Sequence, residues 1–452
     1  MMATLPRTRP NTFNDLVVEV AIIRPGPIQG NAVHPYIKRK QGREPVIYAH
    51  PLLEPVLKDT LGVILYQEQI LEIAMRVAGM SASDADRFRR AMTRHMSRIE
   101  MSSLEGDFVS GCLANGVPRE VADQLFRAVE GFAVYGFCRS HAAAFARTSY
   151  ETAWLKLKYP AHYYCGLLNN QPMGFYHPSV LVEDAKRHGV EPLQVDVNAS
   201  AERCLPLDTQ RFRVGFNYLR DLGEPGRKAI VDERARAGPY RSLDDFLERL
   251  RGAPVNPGAV RNLVMVGAFD TLGKTRRQLL WGWQERWRGQ GPRRKIEVQS
   301  ELGLPADAPE LPDVDQLERT RLEYRISDLS TGKHLIHFWR PRLVELGALD
   351  SRRALATPSG ARVRVAGLVI TRQAPATANR IRFFTLEDEF GHVNVTIKPE
   401  VYERHRAVAN QAPVLVIDGI VQSIDGVWSL LATHIDAVQG AAKEHSRSHD
   451  YK

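Results

Sequence analysis

Hydrophobic residues in the first third of the chain recur with the period of a helix. Between residues 66 and 78 the apolar positions fall on one helical face, and Gly79 ends the predicted helix. These positions are Ile70, Ile73, Ala74, Val77 and Ala78. Ser81 and Asp84 have the spacing of a capping box, which predicts a second helix after them. The pattern therefore predicts a helical N-terminal region.

Two further helices are predicted over residues 118–130 and 140–159. The second of them should bury Tyr150, Trp154 and Leu157 along one side. Large apolar side chains at this spacing are usual on the core-facing stripe of a helix.

The segment between these two helices is rich in aromatic residues and glycine. It has the sequence EGFAVYGFCRSHA and brings Arg139, Ser140 and His141 to the start of the next helix. A helix N-terminus carries N–H groups without helical partners and a positive partial charge, so it suits a phosphate or a base edge. For His141, a ring that is hydrogen-bonded locally is the alternative.

A glycine-containing stretch, LRDLGEPGRKAIVDER, occupies residues 219–234. Gly223 and Gly226 allow a tight hairpin whose backbone N–H groups point outward where a helix begins, beside Arg227 and Lys228. This spacing resembles a helix-hairpin-helix, a module that grips the sugar-phosphate backbone of DNA without reading bases. A plain helical turn with a glycine bend is the alternative.

Towards the C-terminus the hydrophobic period changes from that of a helix to that of a strand. Runs rich in Val, Ile, Phe and Thr occupy residues 362–371, 380–387, 392–397, 412–422 and 427–432, and a helical piece occupies 399–409. A helix after the third of five strands is the order of an OB-fold barrel. The predicted fold class is multidomain α+β, mostly α-helical at first and ending in an OB-fold β-barrel.

The charge of the chain favours a polyanionic partner. Lys and Arg number 61 against 52 for Asp and Glu, a net charge of +9, and the pI is about 9.4. The 452 residues suggest about three domains. No run approaches the roughly 18 apolar residues of a membrane span, so no membrane partner is expected. Nucleic acid is the leading candidate.

The cysteines predict no metal site and no disulfide framework. Cys112, Cys138, Cys165 and Cys204 are far apart and lack the spacing of metal ligands. We interpret them as reduced core thiols of a cytoplasmic protein. The first residues also lack the apolar segment of a secretion signal.

Two groups of basic residues are candidate DNA contacts. Arg87, Arg90 and Arg94 share one face of the second predicted helix, although a solvated helix surface is the alternative. The other group follows a turn rich in proline and glycine and consists of Lys38, Arg39, Lys40 and Arg43.

Four strings, in order, resemble the fingers of a bacterial DNA polymerase III alpha-type (C-family) enzyme, with the error-prone branch most similar. They are IRPGPIQGNAVHPYIKRKQG, LGVILYQEQIL, RRAM and YGFCRSHAAAFARTSYETAWLK. The helix-hairpin-helix, connector and OB-fold follow in the order of the family, so the resemblance covers nearly the whole chain. Its domains would be a palm/fingers remnant (1–25), fingers (26–170), helix-hairpin-helix region (171–285), connector (286–354), OB-fold (355–440) and flexible tail (441–452).

The resemblance implies two sets of site residues. The nucleotide-binding set is Tyr66, Gln67, Arg89, Arg90, Arg139, Ser140 and His141. The DNA-binding set is Lys38, Arg39, Lys40, Arg43, Arg87, Arg94, Gly223, Gly226, Arg227, Lys228, Arg372, Arg380, Arg382 and Phe383. Strand alternation lets only one of Phe383 and Phe384 face outward, and the other should be core.

The sequence departs from the family at the catalytic carboxylates. Nucleotide transfer uses two Mg²⁺ ions about 4 Å apart, which the family holds on a palm strand with the pattern P-D-x-D-x-D-F. That string and the histidinol-phosphatase-like domain are absent from the printed residues. Asp313 and Asp315 are interpreted as an acidic helix start. We expect the C-terminal portion of a polymerase, from a truncated or split reading frame, with no catalytic or metal residues and no activity alone.

Two functions stay open. The first is a part of an error-prone DNA-directed DNA polymerase that replicates past lesions, and the second is non-catalytic binding of primer-template and single-stranded DNA. Expected partners are these DNAs and deoxynucleoside triphosphates, in a cytoplasmic, nucleoid-associated protein. Accessory mutagenesis proteins and a sliding clamp stay open, because Gln299, Leu302 and Leu304 fit a Q-x-x-L-x-L clamp peptide only loosely.

Overall fold

The chain forms two compact units, and each is described by itself. The structure, a computed structural model, describes residues 4–23, 33–92, 98–133, 137–174, 176–287, 312–375, 378–424, 426–441 and 449–451. The first unit comprises Met1–Ala153 and Asp425–Val427, and the second comprises Trp154–Ile424 and Trp428–Lys452.

Helices are the main secondary structure of the first unit within the residues described. Its helices are α1 (Leu5–Thr8), α2 (Phe13–Ile22), α3 (Val33–Lys40), α4 (Glu54–Leu57), α5 (Gln67–Arg76), α6 (Ala82–Met92), α7 (Arg98–Ala114), α8 (Arg119–Ala133) and α9 (Arg139–Lys158). The two helices predicted from residue 66 onward are therefore confirmed. Ser81 accepts from the backbone N–H of Asp84 at 3.2 Å, as the capping pattern predicted.

Aromatic rings form the centre of the first unit. Phe88 of α6 stacks on Phe108 of α7 with 5.3 Å between ring centroids, and Phe126 of α8 lies 5.8 Å from Phe108. The three rings are almost completely buried. Because each ring comes from a different helix, this cluster fixes the arrangement of α6, α7 and α8.

The buried side of α9 was predicted wrongly. Tyr150, Trp154 and Leu157 are 59%, 46% and 75% exposed, while Ala142 and Ala146 are fully buried. The alanines belong to the same apolar cluster as the side chains of α2. Small side chains let two helices approach closely, so the alanine face of α9 packs inward although its larger apolar residues lie elsewhere.

The second unit contains the other helices and all the strands that the described residues form. Its helices are α10 (Pro160–Asn169), α11 (Pro178–Arg187), α12 (Glu224–Ala237), α13 (Leu243–Arg249), α14 (Pro257–Met265), α15 (Arg276–Trp287), α16 (Gln316–Ser327), α17 (Leu335–Glu345), α18 (Ser351–Leu355), α19 (Pro399–Arg404) and α20 (Arg406–Gln411). Its strands are β1 (Glu191–Leu193), β2 (Leu205–Pro206), β3 (Arg211–Arg213), β4 (Arg362–Gln373), β5 (Arg382–Glu387), β6 (His392–Ile397), β7 (Val414–Ile424), β8 (Val427–Ala437) and β9 (His449–Tyr451).

The unit boundary lies earlier than the boundary at residue 170 predicted from the sequence. Helix α10 buries Tyr164, Cys165 and Leu168 in the same core as α12, α14 and α16. Helix α9 ends at Lys158, and Pro160 is the first residue of α10. A proline is well tolerated there because that N–H has no helical partner.

The predicted OB-fold barrel is confirmed. Strands β5, β6, β8, β7 and β4 are neighbours in that order, and β4 also pairs with β5, which closes the sheet on itself. The helices α19 and α20 lie between the third and fourth strands, as expected. Strand β6 shows the alternation on which the prediction rested, since Val393, Val395 and Ile397 are buried.

The described part of the predicted connector contains two helices. Helices α16 and α17 have 12 and 11 residues. Tyr324 of α16 and Leu335 and Leu343 of α17 share an apolar cluster with Leu368 and Val416 of the barrel. The barrel is thus packed directly on these two helices.

Candidate nucleotide and nucleic-acid interface

The start of α9 is joined to the start of α5. Phe137, two residues before α9, forms a parallel bridge with Tyr66, and its carbonyl oxygen accepts from the backbone N–H of Gln67 at 3.0 Å. Two strings that are about seventy residues apart in sequence therefore meet. They are LYQEQ, which contains Tyr66 and Gln67 of the predicted nucleotide-binding set, and FCRSH, which contains Arg139, Ser140 and His141 of that set.

A carboxylate caps the N-terminus of α9. The backbone N–H of Arg139 donates to both oxygens of Glu68, at 3.0 and 2.9 Å. The thiol of Cys138 donates to Oε1 of Glu68 at 3.2 Å. The helix start, predicted to suit a phosphate, thus has a carboxylate on its first N–H group.

The Arg139 side chain is also engaged by an acid. Its guanidinium lies 2.8 Å from Asp59 and 5.6 Å from the centroid of the Tyr66 ring. The Arg139 side chain remains 47% exposed. An exposed ion pair of this kind adds little stability, so an incoming phosphate can exchange with Asp59.

Ser140 and His141 are both exposed at the start of α9. The His141 ring lies against Phe137 and Phe145, with 5.1 and 4.7 Å between centroids. These two contacts orient the imidazole on the helix surface.

Tyr66 does not line an open pocket. It is 1% exposed, and burial raises the pKa of its phenol well above the usual value. The prediction of a direct nucleotide contact by Tyr66 is therefore corrected. Tyr66 supports the site from beneath, because its ring underlies the guanidinium of Arg139.

The RRAM string completes the cluster. Arg89 donates to Asp86 at 2.9 Å and to the side-chain oxygen of Gln67 at 3.4 Å. Arg90 pairs with the same carboxylate at 2.7 Å. Hydrogen bonding to Arg89 is the largest cause that lowers the pKa of Asp86.

The basic stripe of α6 carries its own counter-charges. Arg87 lies 2.5 Å from Asp84, and Arg90 pairs with Asp86 as described. Arg94 lies outside the described residues. Both pairs are solvated, and each arginine can exchange its partner for a phosphate at small cost.

The other basic group divides into structural and exposed members. Arg39 donates to the Leu61 carbonyl oxygen at 2.8 Å, and Lys40 forms an ion pair with Asp15. Lys38 and Arg43 are exposed. The IRPGP turn before this group lies outside the described residues.

The two glycines of the helix-hairpin-helix have different surroundings. Gly223 is the N-cap of α12, and a Cβ there would have only Pro225 Cδ near it, at 3.8 Å. Gly226 is buried inside α12, where a Cβ would lie 2.8 Å from the Pro254 carbonyl oxygen. The predicted role of Gly226 in DNA approach is therefore replaced by a packing role. Gly223 lies at the exposed start of α12 and remains a predicted DNA contact.

Basic residues follow Gly223 on the same helix. Lys228 is exposed and Arg227 is half-buried. Their position near the positive end of the helix dipole places several donors on one surface.

The barrel face combines one exposed phenylalanine with arginines. Phe383 is 36% exposed whereas Phe384 is 2% exposed, as strand alternation predicted. Arg382 lies 4.8 Å from the centroid of the Tyr402 ring, and Arg380 is exposed in the turn before β5. Arg372 instead donates to the Ala409 and Ala412 carbonyl oxygens at 2.9 and 2.8 Å, which is a structural role.

Asp313 and Asp315 have structural partners, as predicted. Asp315 is the N-cap of α16 and accepts from the Glu318 N–H at 2.7 Å. Asp313 pairs with Arg319 and accepts from the Arg276 N–H at 3.2 Å. Among the residues that the structure describes, no group of three or more His, Cys, Asp or Glu side chains could hold a metal ion. Residues 288–311, which contain the clamp-like peptide, lie outside those residues.

Sequence reasoning missed Glu68 and Asp59. Glu68 stands inside the LYQEQ string, but only its pairing with a residue 71 positions away shows its role. Long-range contacts of this kind leave no local pattern.

Within the same described residues, no helix is both long and apolar enough to cross a membrane.

The class of protein follows from comparisons with known families. Residues 1–116 match the bacterial DNA polymerase III alpha subunit finger domain, and residues 189–279 match a helix-hairpin-helix motif. The chain therefore contains a region similar to this finger domain and a region similar to a helix-hairpin-helix.

The similar curated relatives are error-prone DNA polymerases. Those of Mycolicibacterium paratuberculosis and Nocardia farcinica are both 41% identical across 100% of this chain. That of Mycobacterium bovis is 42% identical across 99% of it. The chain spans about 40% of the length of each of these relatives.

One solved structure with a partial match is asparaginyl-tRNA synthetase from Pyrococcus horikoshii. It aligns with 18% identity over 20% of this chain and 22% of that protein, with a TM-score of 0.18. At this level the match supports no argument about fold or function.

Proposed function

We propose that the chain supplies the nucleotide pocket and the DNA-binding surfaces of an error-prone DNA-directed DNA polymerase that replicates past lesions. The observation that carries the proposal is the convergence of Gln67, Arg89 and Arg139 at the start of α9. Their strings are far apart in sequence. In the structure Arg89 donates to the side-chain oxygen of Gln67, and the backbone N–H of Gln67 donates to the carbonyl oxygen of Phe137, two residues before Arg139.

In this proposal the first unit receives the deoxynucleoside triphosphate. Arg139 and Arg89 offer guanidinium groups to the phosphates, and the exposed His141 ring offers a donor to a phosphate or a base edge. The described residues do not fit a pair of Mg²⁺ ions, so no metal-dependent step is derived from them.

The second unit would hold DNA through two surfaces. The start of α12, with Gly223, Arg227 and Lys228, faces duplex phosphates. The barrel face around Phe383 stacks unpaired template bases. A sliding clamp, accessory mutagenesis proteins and a nucleoid location belong to the same proposal.

A second candidate is DNA binding without catalysis by this chain. It is favoured by the partners of Asp313 and Asp315, because Asp313 pairs with Arg319 and Asp315 caps α16, so both carboxylates have structural roles. Both candidates require DNA binding, so a binding measurement tests their common element.

The test is the salt dependence of binding to a fluorescently labelled primer-template. The logarithm of affinity should fall steeply with the logarithm of salt concentration. Replacing Arg227 and Lys228 by Ala should reduce that slope by up to about 2, at roughly 0.9 for each phosphate contact. Arg236→Ala is the control, because Arg236 is exposed on the same helix but pairs with Glu233. Absence of binding at low salt would refute both candidates.

A further inference from the structure

The start of α9 is held by a side chain from another helix. Glu68 lies in the first turn of α5, and its carboxylate accepts from the Arg139 backbone N–H at 3.0 and 2.9 Å. It also accepts from the Cys138 thiol at 3.2 Å. Charge-assisted hydrogen bonds to a backbone N–H at a helix start are among the stronger ones available to a carboxylate.

Arg139 has two acidic partners, one for its backbone N–H and one for its guanidinium. Its backbone is held by Glu68, and its guanidinium is held by Asp59 in an ion pair whose side chains are 47% and 55% exposed. A triphosphate would compete with Asp59 for the guanidinium, because that pair is solvated and weak. Competition at Glu68 is disfavoured, because it would also release the Cys138 thiol.

We propose that Glu68 is a positioning residue of the nucleotide pocket. It fixes the first turn of α9 and thereby the place from which Arg139 reaches a triphosphate, while Asp59 holds the guanidinium until the phosphate arrives. This inference rests on the proposed function of the first unit.

The reactivity of the Cys138 thiol reports whether Glu68 holds the first turn of α9. Cys112, Cys165 and Cys204 are buried, whereas Cys138 is half-buried. Burial raises the pKa of Cys112 to about 11 and that of Cys204 to about 12, and it raises that of Cys165 as well. Near neutral pH a thiol reagent should therefore modify Cys138 first.

The first measurement is the rate of Cys138 labelling in the full chain. Glu68→Ala should raise the rate about tenfold, since a hydrogen bond to a charged group is lost. Glu68→Gln should give a smaller rise, because its amide oxygen still accepts. Glu72→Ala is the matched control on the same helix, where Glu72 is exposed and pairs with Arg76. An unchanged rate in Glu68→Ala, with the melting temperature recorded alongside, overturns the inference.

The second measurement is binding of a fluorescent deoxynucleoside triphosphate. Glu68→Ala should weaken triphosphate binding about tenfold, because the hydrogen bonds to the charged carboxylate are lost. Glu68→Gln should restore part of the affinity. Asp59→Ala should bind the triphosphate at least as tightly as the unchanged chain. Weaker binding by Asp59→Ala than by the unchanged chain would overturn the role assigned to Asp59.

The two measurements separate the two proposals. If the unchanged chain binds no triphosphate, the nucleotide pocket is refuted, and with it the positioning role. If the unchanged chain binds and Glu68→Ala binds equally well despite faster labelling of Cys138, the pocket survives and the positioning role is overturned.

Discussion

At the scale of the residue, environment decides what two identical glycines do. Gly223 and Gly226 looked equivalent in the sequence, because both stand in the hairpin pattern. In the structure only Gly226 is buried, and the Pro254 carbonyl oxygen occupies the place next to it. The contact with Pro254 could not be predicted, since it joins segments that no local pattern links.

This difference predicts opposite outcomes for the two glycines. Gly226→Val forces a side chain against backbone and should cost about 1–3 kcal/mol of the free energy of unfolding. Gly223→Asp keeps a favourable N-cap and places a negative charge where duplex phosphate is proposed to bind. It should leave the melting temperature unchanged or raised and should weaken duplex binding.

Thermal unfolding and duplex binding should be measured on the same two variants. Gly223→Ser is the control, because serine, like aspartate, offers an N-cap acceptor but carries no charge. Loss of stability in Gly223→Asp, or full stability in Gly226→Val, would contradict this assignment of roles.

At the scale of the element, alternation predicted the strands better than periodicity predicted the faces of helices. Strand β6 was predicted at 392–397, and the structure gives His392–Ile397. The buried face of α9 was predicted wrongly because large apolar side chains outweighed Ala142 and Ala146 in the pattern. The face of a helix depends on what packs against it, which periodicity alone does not contain.

The basic stripe of α6 is a surface whose role depends on its neighbours. Arg87 and Arg90 pair with acids on their own helix, and these pairs are solvated. If the stripe meets DNA, changing both arginines to Ala should lower the slope of affinity against salt by up to about 2. Arg119→Ala serves as control, because Arg119 is exposed and pairs with Asp123 on α8. An unchanged slope would assign the stripe to plain solvated surface.

A buried ion pair joins α17 to the barrel. His334 and Glu387 are 3% and 1% exposed, with 3.6 Å between Nε2 and the carboxylate. Burial acts to raise the pKa of Glu387, yet His334 and His392 hold it well below the usual range. Burial acts to lower the pKa of His334, yet Glu387 leaves it raised. The charged groups around this pair are Glu183, Arg187, Glu389 and His392.

The sign of the pH dependence follows from these two shifts. The raised pKa of His334 gives stability that is complete below its ordinary value of 6.5 and is lost as pH rises through the folded value. The lowered pKa of Glu387 gives stability that is complete above 4.5 and is lost as pH falls. The pair should therefore stabilise the fold most between these two values.

His334→Gln should flatten the loss of stability above pH 6.5, measured by denaturant unfolding at several pH values. The variant should also be less stable at its optimum by about 1–3 kcal/mol, because the buried carboxylate loses His334 but keeps Arg187 and His392. His337→Gln is the control, since His337 is exposed on the same helix. A pH profile identical to that of the unchanged chain would show that another group titrates.

At the scale of the whole molecule, the order of the modules was predictable and their packing was not. Hydrophobic period separated the helical region from the barrel, and the order of strands and helix identified an OB-fold. The packing of α16 and α17 was not predicted, because their buried residues Tyr324, Leu335 and Leu343 contact barrel residues that are far away in sequence. Tyr324 and Leu335 lie beneath the barrel, so removing residues 355–452 would expose a core. Point substitutions are therefore a better test of DNA binding by the barrel than this deletion.

The last prediction separates the barrel from the helix-hairpin-helix. Phe383→Ala should weaken binding to a long single-stranded overhang, because stacking contributes about 1–3 kcal/mol per base. It should leave blunt duplex binding unchanged, whereas Gly223→Asp should do the reverse. Phe390→Ala is the matched control, because Phe390 is 38% exposed, close to the 36% of Phe383, but lies under the guanidinium of Arg352 at 3.4 Å. Equal losses on both DNAs from both changes would mean that one continuous basic surface does all the binding.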